Sequence, residues 1–256
     1  MPIKKVVISA AGQGTRMQEL SKDKSKHLIT VNNRPFLAYL LDNILQAGYT
    51  DIMLVVGFRQ DLIAEFLQTY PLPAGTTIGM VNQFEMLGPK EKEYGTACPL
   101  KCVKDFVGRD QFISLVGDNF YSAADLASMN MDDNFCYVGG LKAEHPERFG
   151  VLIEDGELLQ EIIEKPKEFV GDLINTSLYK FTPDVFEKLP LIQKSPRGEY
   201  EITDVLTLLA KDKKVKIKKL KDNWMDFGKA EDIQKFENEF LKLQITIHKS
   251  QTNSNG

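Results

Sequence analysis

The sequence predicts an α/β architecture with a mixed, mostly parallel central sheet flanked by helices. Three observations carry this expectation. Apolar runs of strand length alternate with helical segments through the first half of the chain. These runs lack polar alternation, the pattern of strands buried on both faces. After residue 130, short strand-like runs follow one another and add strands to the initial α/β half, within one continuous domain.

Val6-Val7-Ile8-Ser9-Ala10 reads as a buried first strand, ended by a turn with glycines at 12 and 14. Pro35 stands where a helix can begin, and Gly48 where it stops. Residues 51–56 read as the second strand, 59–69 as a helix and 77–81 as the third strand. A helix over 96–106 leads to the fourth strand at 112–116. The later strand-like runs are 134–141, 149–154, 157–163 and 173–181, with helices expected at 202–210 and 229–244. Residues 211–221 hold seven lysines around Val215, Ile217 and Leu220 and read as a lysine-guarded edge strand. The polar residues 246–256 read as a disordered tail.

Composition narrows the function. With 32 basic and 36 acidic residues the net charge is −4, which gives no global basic field to hold nucleic acid. No apolar run approaches the roughly 20 residues of a membrane span. The N-terminal Met-Pro-Ile-Lys-Lys lacks the apolar segment of a signal peptide. Cys98, Cys102 and Cys136 cannot all pair, which fits a reducing cytoplasm. Cys98 and Cys102 have no further His or Cys to complete a metal-ligand set and read as small buried hydrophobes.

The chemistry concentrates where strands end. Ala11, Gly12, Gly14 and Thr15 form a turn whose amides can face an anion, and Arg16 and Lys26 bring two cations to it. Neither the dinucleotide-binding nor the P-loop pattern is present, since Met17 stands at the third glycine position and no G-x-x-x-x-G-K-S/T occurs. Asp118 directly follows the fourth strand, at the edge where α/β sheets bind ligands. Asp226 lies between a strand-like run and the last helix. Two carboxylates together with phosphate oxygens suit Mg²⁺; each Asp alone would also serve as a cap. Glu164-Lys165 ends a strand and can divide the work between sugar hydroxyls and a phosphate. Asn175 offers an amide to a polyol. Gln83 ends the third strand, where an amide can read a base edge, and Gly95-Thr96 forms a second glycine turn.

In their order along residues 3–242, the stretches AAGQGTRM (10–17), SKHL (25–28), NRPFLAYLL (33–41), NQ (82–83), GTA (95–97), VGDN (116–119), FGV (149–151), EKP (164–166), NTSLY (175–179), GEYEITDV (198–205) and WMDFG (224–228) resemble the sugar-1-phosphate nucleotidylyltransferase family. The resemblance implies a glycosyltransferase-A-like, Rossmann-like nucleotidyltransferase fold, a catalytic domain over 1–245, and a reaction that joins a nucleoside triphosphate to a sugar 1-phosphate and releases pyrophosphate. It further implies that Gly12, Gly14 and Thr15 cradle the triphosphate beside Ala11, and that Arg16 holds the leaving pyrophosphate. Lys26 bridges phosphates, and Asp118 and Asp226 bind Mg²⁺. Lys165 orients the sugar phosphate. Glu164, Gly150 and Asn175 contact the sugar, and Gln83 and Gly95, with Thr96, meet the base. Glu201 matches the pattern without an assigned role.

Two departures stand out. His27 occupies a position that is usually Pro, and reads as a packing or solvent-exposed residue rather than a catalytic one. The segment 84–94 is longer than a compact base-binding loop. UTP or dTTP with glucose 1-phosphate is the favoured pair. A cytidylyltransferase acting on a sugar phosphate or phosphocholine, a glycosyltransferase of the same fold, and a non-catalytic nucleotide-sugar sensor are the alternatives. The sequence leaves homo-oligomerisation open.

Overall fold

In a computed structural model of the chain, the described residues are 2–12, 25–222 and 224–238. Gly14, Thr15 and Arg16 of the phosphate turn lie outside them, as do the boundary at 245 and the expected tail at 246–256. The first half contains β1 (Lys5–Ala10), β2 (Thr30–Val31), β3 (Arg34–Pro35), α1 (Phe36–Gln46), β4 (Asp51–Val56), α2 (Gln60–Thr69), β5 (Thr77–Asn82), α3 (Gln83–Leu87), α4 (Cys98–Lys101), α5 (Lys104–Val107) and β6 (Phe112–Val116). Then follow β7 (Asn119–Phe120), α6 (Ala123–Ser128), β8 (Cys136–Lys142), β9 (Gly150–Asp155), β10 (Leu158–Glu164), β11 (Leu173–Phe181), α7 (Val185–Lys188), α8 (Ile202–Lys211), β12 (Val215–Lys219) and β13 (Met225–Asp226). Residues 231–238 are helical.

A nine-stranded sheet of order β5-β4-β1-β6-β11-β8-β12-β10-β9 forms the centre. Strands β5, β4, β1 and β6 run parallel. β11 then reverses direction against β6, and the later half is mixed. The apolar strands work on both faces because successive side chains point to opposite sides. Val6, Ile8 and Ala10 of β1 join a core with Leu37, Leu40 and Ile44 of α1. Val7, between them, joins the opposite core with Leu100, Val107 and the α8 residues Val205, Leu206 and Leu209. Each such fully buried aliphatic side chain contributes about 1.5–3 kcal/mol.

α1 starts after Pro35 and ends before Gly48, which takes a positive φ of 91°. The helix expected over 96–106 is divided into α4 and α5. Val103 leaves helical geometry (φ −119°, ψ 10°), which lets Leu100 and Val107 enter one core. Gln83 is the first residue of α3 rather than the end of β5, because the Asn82 side chain accepts the amides of Phe84 and Glu85 and caps a helix there. The lysine-rich strand is corrected as well. β12 lies inside the sheet between β8 and β10. Two of its lysines pair with neighbours, Lys216 with Glu157 and Lys219 with Glu154, and the strand is no edge for them to guard.

Candidate active site

β1 and β6 are parallel neighbours, with Ser9 opposite Val116, and the Gly117 amide donates to the Ser9 carbonyl at 2.8 Å. The segments leaving these two strands therefore emerge side by side. Ala11 and Gly12 continue β1, and Asp118 follows β6. Lys26 enters from a single 3-10 turn, Lys26–Leu28. Its ammonium pairs with the Asp118 carboxylate, and a Cβ at Gly12 would lie 3.8 Å from Lys26 Nζ. Gly12, Lys26 and Asp118 thus form one cluster. The Lys26 and Asp118 side chains are only 12% and 15% exposed, so their attraction is little screened by water. Burial disfavours the Asp118 carboxylate, yet the Lys26 ammonium holds its pKa below the ordinary value.

Asp226 is brought to the same place by a two-stranded ribbon. β13 pairs with β7 so that Asp226 faces Asn119, and the Phe227 amide donates to the Asp118 carbonyl at 2.7 Å. Aromatic packing holds the ribbon down: Phe227 stacks on Phe36 at 4.4 Å, and Phe236 meets Phe120 edge-on at 4.9 Å. Among the described residues no group of three or more His, Cys, Asp or Glu could hold a metal ion. Two carboxylates of hard oxygens fit a Mg²⁺ that keeps waters and takes its remaining ligands from a phosphate, rather than an all-protein cage.

His27 is buried at 1% exposure, which settles its packing role. Its Nδ1 lies 3.0 Å from Ser25 Oγ, and its Nε2 has no hydrogen-bond partner among the described residues. Burial drives the imidazole from an ordinary 6.5 down to about 3, helped by the Lys26 ammonium and opposed by Asp118. The folded protein therefore holds this ring neutral, while an unfolded chain protonates it below pH 6.5. Stability is expected to fall as pH drops through the window from 6.5 toward 3. Between pH 7 and pH 5 the contribution is about 2 kcal/mol. Urea unfolding at the two pH values should show it in the wild type, and His27→Leu should lack that part of the slope.

Among the residues expected to meet the nucleotide, Ala11 and Phe84, the neighbour of Gln83, both approach Gly57. A Cβ at Gly57 would lie 2.6 Å from Phe84 Cε2 and 2.8 Å from the Ala11 carbonyl, so the ring packs on the residue that follows β4 and leaves no room for a side chain there. Gln83 itself is buried. Gly95, at φ 133°, presses against the backbone of Tyr200, where a Cβ would stand 2.3 Å from the carbonyl oxygen. The Thr96 hydroxyl donates to Glu201 Oε2 at 3.2 Å and accepts the Ile202 amide at 2.9 Å. Glu201 also accepts Ser195 Oγ at 3.1 Å and Arg197 at 2.9 Å through Oε1. The residue left without a role in the sequence is thus a latch that ties the Gly95-Thr96 turn to the loop before α8.

Among the residues expected to meet the sugar, Gly150 faces Glu164 across β9 and β10. A Cβ at Gly150 would come within 3.1 Å of Glu164 Oε2 and 3.8 Å of Asn175 Cβ, so these three residues converge. Asn175 bridges an irregularity in β11: its Nδ2 donates to Tyr179 Oη at 3.0 Å and its Oδ1 accepts the Ser177 amide at 2.9 Å. Lys165 takes a left-handed φ of 45° and is exposed, 3.9 Å from the Glu164 carboxylate. A cavity of about 440 Å³, lined by Phe149, Trp224, Asp226 and Phe227 among others, touches both Phe149 next to Gly150 and Asp226.

Sequence reasoning missed two contributors, Gly57 and Arg197, and left a third, Glu201, without a role. Gly57 follows β4 just as Gly12 follows β1, which was a legible signal. Arg197 opens the stretch that continues into GEYEITDV. Burial opposes its charge, but Glu201, Glu199 and Glu164 raise its pKa, which puts a second cation within the field of the sugar-side carboxylate. Glu201 needed the fold to show what it latches.

Comparison with known proteins gives the family and the fold. Residues 5–242 match the family described as Nucleotidyl transferase. A UTP–glucose-1-phosphate uridylyltransferase, AglF, of Haloferax volcanii is 31% identical over 234 residues, covering 88% of this chain and 92% of its own length. A mannose-1-phosphate guanyltransferase of Saccharomyces cerevisiae is 31% identical over 236 residues, covering 89% of this chain; the chain spans 62% of that protein. A solved structure described as a glucose-1-phosphate thymidylyltransferase of Bacillus anthracis superposes with a TM-score of 0.77 at 27% identity, covering 91% of this chain and 94% of that one. The mixed α/β architecture expected from the sequence is the fold of these nucleotidyltransferases.

Proposed function

From the premise that the chain belongs to the nucleotidyl transferase family, we propose that it transfers a nucleotidyl group from a nucleoside triphosphate to a sugar 1-phosphate, with UTP or dTTP and glucose 1-phosphate as the favoured pair. One observation carries the reading: Gly12, Lys26, Asp118 and Asp226 converge where β1 and β6 end, beside a sugar-side set of Gly150, Glu164 and Asn175. The relatives named for glucose 1-phosphate support the favoured sugar. The relative named for mannose 1-phosphate and a guanylyl group keeps other pairs in the test.

In the reaction, an oxygen of the sugar phosphate attacks the α-phosphorus in line. The bond from that phosphorus to the bridging oxygen breaks, and pyrophosphate leaves. The protein has little covalent work; it holds two polyanions together and neutralises their repulsion. Lys26 bridges phosphates near the α-phosphorus, and Arg16 holds the leaving pyrophosphate. Gly12, Gly14 and Thr15 with Ala11 surround the triphosphate. Gln83 reads the base, and the Gly95-Thr96 turn contributes its backbone, because the Thr96 hydroxyl is occupied by Glu201 and the Ile202 amide. Lys165, with Arg197 nearby, orients the sugar phosphate. Asp118 and Asp226 would hold Mg²⁺, which when bound spreads and neutralises the charge on the phosphate oxygens. The three free cysteines, all buried, support action in the cytoplasm.

The test is pyrophosphate release with Mg²⁺, with UTP, dTTP, CTP, GTP and ATP crossed with glucose, mannose and other sugar 1-phosphates and with phosphocholine. Release that depends on both substrates is expected, fastest with UTP or dTTP and glucose 1-phosphate. Silence across the grid from a folded protein that still binds nucleotides would reject the transfer reaction and favour the sensor or glycosyltransferase alternatives.

A further inference from the structure

We propose that His27 is a positioning residue: its buried ring is the spacer that sets the Lys26 turn against the strand end carrying Asp118. The reaction this spacer serves rests on the function proposed above; the contact itself does not. His27 follows Lys26, and Gly117 precedes Asp118. The two segments therefore meet twice, one residue apart on each: through the Lys26–Asp118 pair and through the His27 ring against Gly117. A Cβ at Gly117 would stand 2.9 Å from His27 Cδ2 and 3.1 Å from Nε2, with Ile8 Cγ2 3.2 Å away on the other side. Nothing larger than a hydrogen fits between ring and backbone. Gly117 cannot retreat, because its amide is bonded to the Ser9 carbonyl of β1 at 2.8 Å.

The turn that presents Lys26 is a single 3-10 turn with no side-chain cap, so its place depends on packing. The ring supplies that packing and is itself fixed at Nδ1 by the buried Ser25 hydroxyl. Its Nε2 is buried without a partner among the described residues, a feature that lowers stability and that an apolar side chain of equal size would avoid. Stability alone does not account for this side chain. Its location, packed on the backbone of Gly117 beside the Lys26–Asp118 pair, does.

The test compares His27→Ala and His27→Asn, which remove the ring edge that meets Gly117, with His27→Leu, which keeps a similar volume. Gly117→Ala disturbs the same contact from the opposite side. Asp118→Asn serves as the control for a broken pair, and Ile44→Val as the control for lost core stability. The first readout is acetylation of individual lysines by acetic anhydride, followed by peptide mass spectrometry on the folded full chain. Lys26, paired and mostly buried, should react far more slowly than the 76% exposed Lys142. In His27→Ala, His27→Asn and Gly117→Ala its rate should rise toward that of Lys142, as in Asp118→Asn, while His27→Leu and Ile44→Val stay slow. The second readout is turnover at saturation, which should fall about tenfold or more in His27→Ala with little change in the KM for the nucleoside triphosphate. A merely structural side chain would lower the melting temperature and move neither readout. Wild-type Lys26 labelling in both His27→Ala and Gly117→Ala would overturn the proposal. If no substrate pair releases pyrophosphate, the proposed function falls, and the labelling alone still decides the role of His27.

Discussion

Asp118→Asn is expected to lower nucleotidyl transfer by about 10³-fold while the protein stays folded, and Lys26→Ala by a similar factor. The substitution by Asn is isosteric and keeps hydrogen-bonding capacity, so the loss reads the charge. Asp118 is nearly buried, and its carboxylate is stabilised by Lys26 rather than by water. Removing it leaves an ammonium in a mostly dry place without its counter-charge and, on the proposed function, takes away one of the two carboxylates that would hold Mg²⁺. Removing Lys26 instead leaves two carboxylates, Asp118 and Asp226, facing two incoming polyanions. Because the two residues act as one unit, the double variant should be little worse than either single one. Pyrophosphate release at saturating substrates measures the effect, with circular dichroism as the check on folding. Near-normal turnover in both single variants would remove these residues from the site.

The second large effect concerns stability far from the chemistry. Lys180 of β11 is fully buried, and its ammonium donates to the Asp133 carbonyl at 2.7 Å and to the Asp133 carboxylate at 2.8 Å. Tyr137 donates to the same carboxylate at 2.6 Å. Burial disfavours the Asp133 carboxylate, but these donors hold its pKa below the ordinary range. Asp133→Ala strands a charge that cannot reach water. The expected cost is about 3 kcal/mol, the low end for a broken buried pair because the carbonyl remains as an acceptor. For a chain of this size that lowers the melting temperature by roughly 6–12 °C. Lys180→Met should cost much less, since Asp133 is 33% exposed and can turn to solvent. Thermal unfolding of the two variants tests this asymmetry; equal losses would contradict it.

The fold was legible where one physical signal dominated. Unbroken apolar runs marked β1, β4 and β6, and Asp118 was found because a carboxylate that directly follows such a strand must lie at the sheet's ligand edge. Long-range pairing left no such mark. The lysines of β12 looked like the guard of an edge, but which strands flank β12 depends on partners 58 and 79 residues away in the chain. Gly95 was read as a turn near a base, and the fold adds that Tyr200 leaves no room for a side chain there. The burial of His27 was open to either reading, since one histidine in a polar turn carries no periodicity. Glu201 drew attention only through the stretch around it, and its partners Thr96, Ser195 and Arg197 come from separate segments.

The aromatic contacts that hold β13 against α1 imply that the site can come apart in stages. Asp226 sits on a short ribbon clamped by Phe227 on Phe36 and by Phe236, outside the nine-stranded sheet. Slippage of that clamp would carry one carboxylate away while every sheet strand kept its partners. The Phe227 amide, bonded to Asp118 rather than to a sheet strand, would then trade its proton for deuterium through a subglobal opening cheaper than global unfolding. Ligands that bridge Asp118 and Asp226 would close that opening, so substrate occupancy would register as slowed exchange at this one amide before it registered anywhere in the sheet.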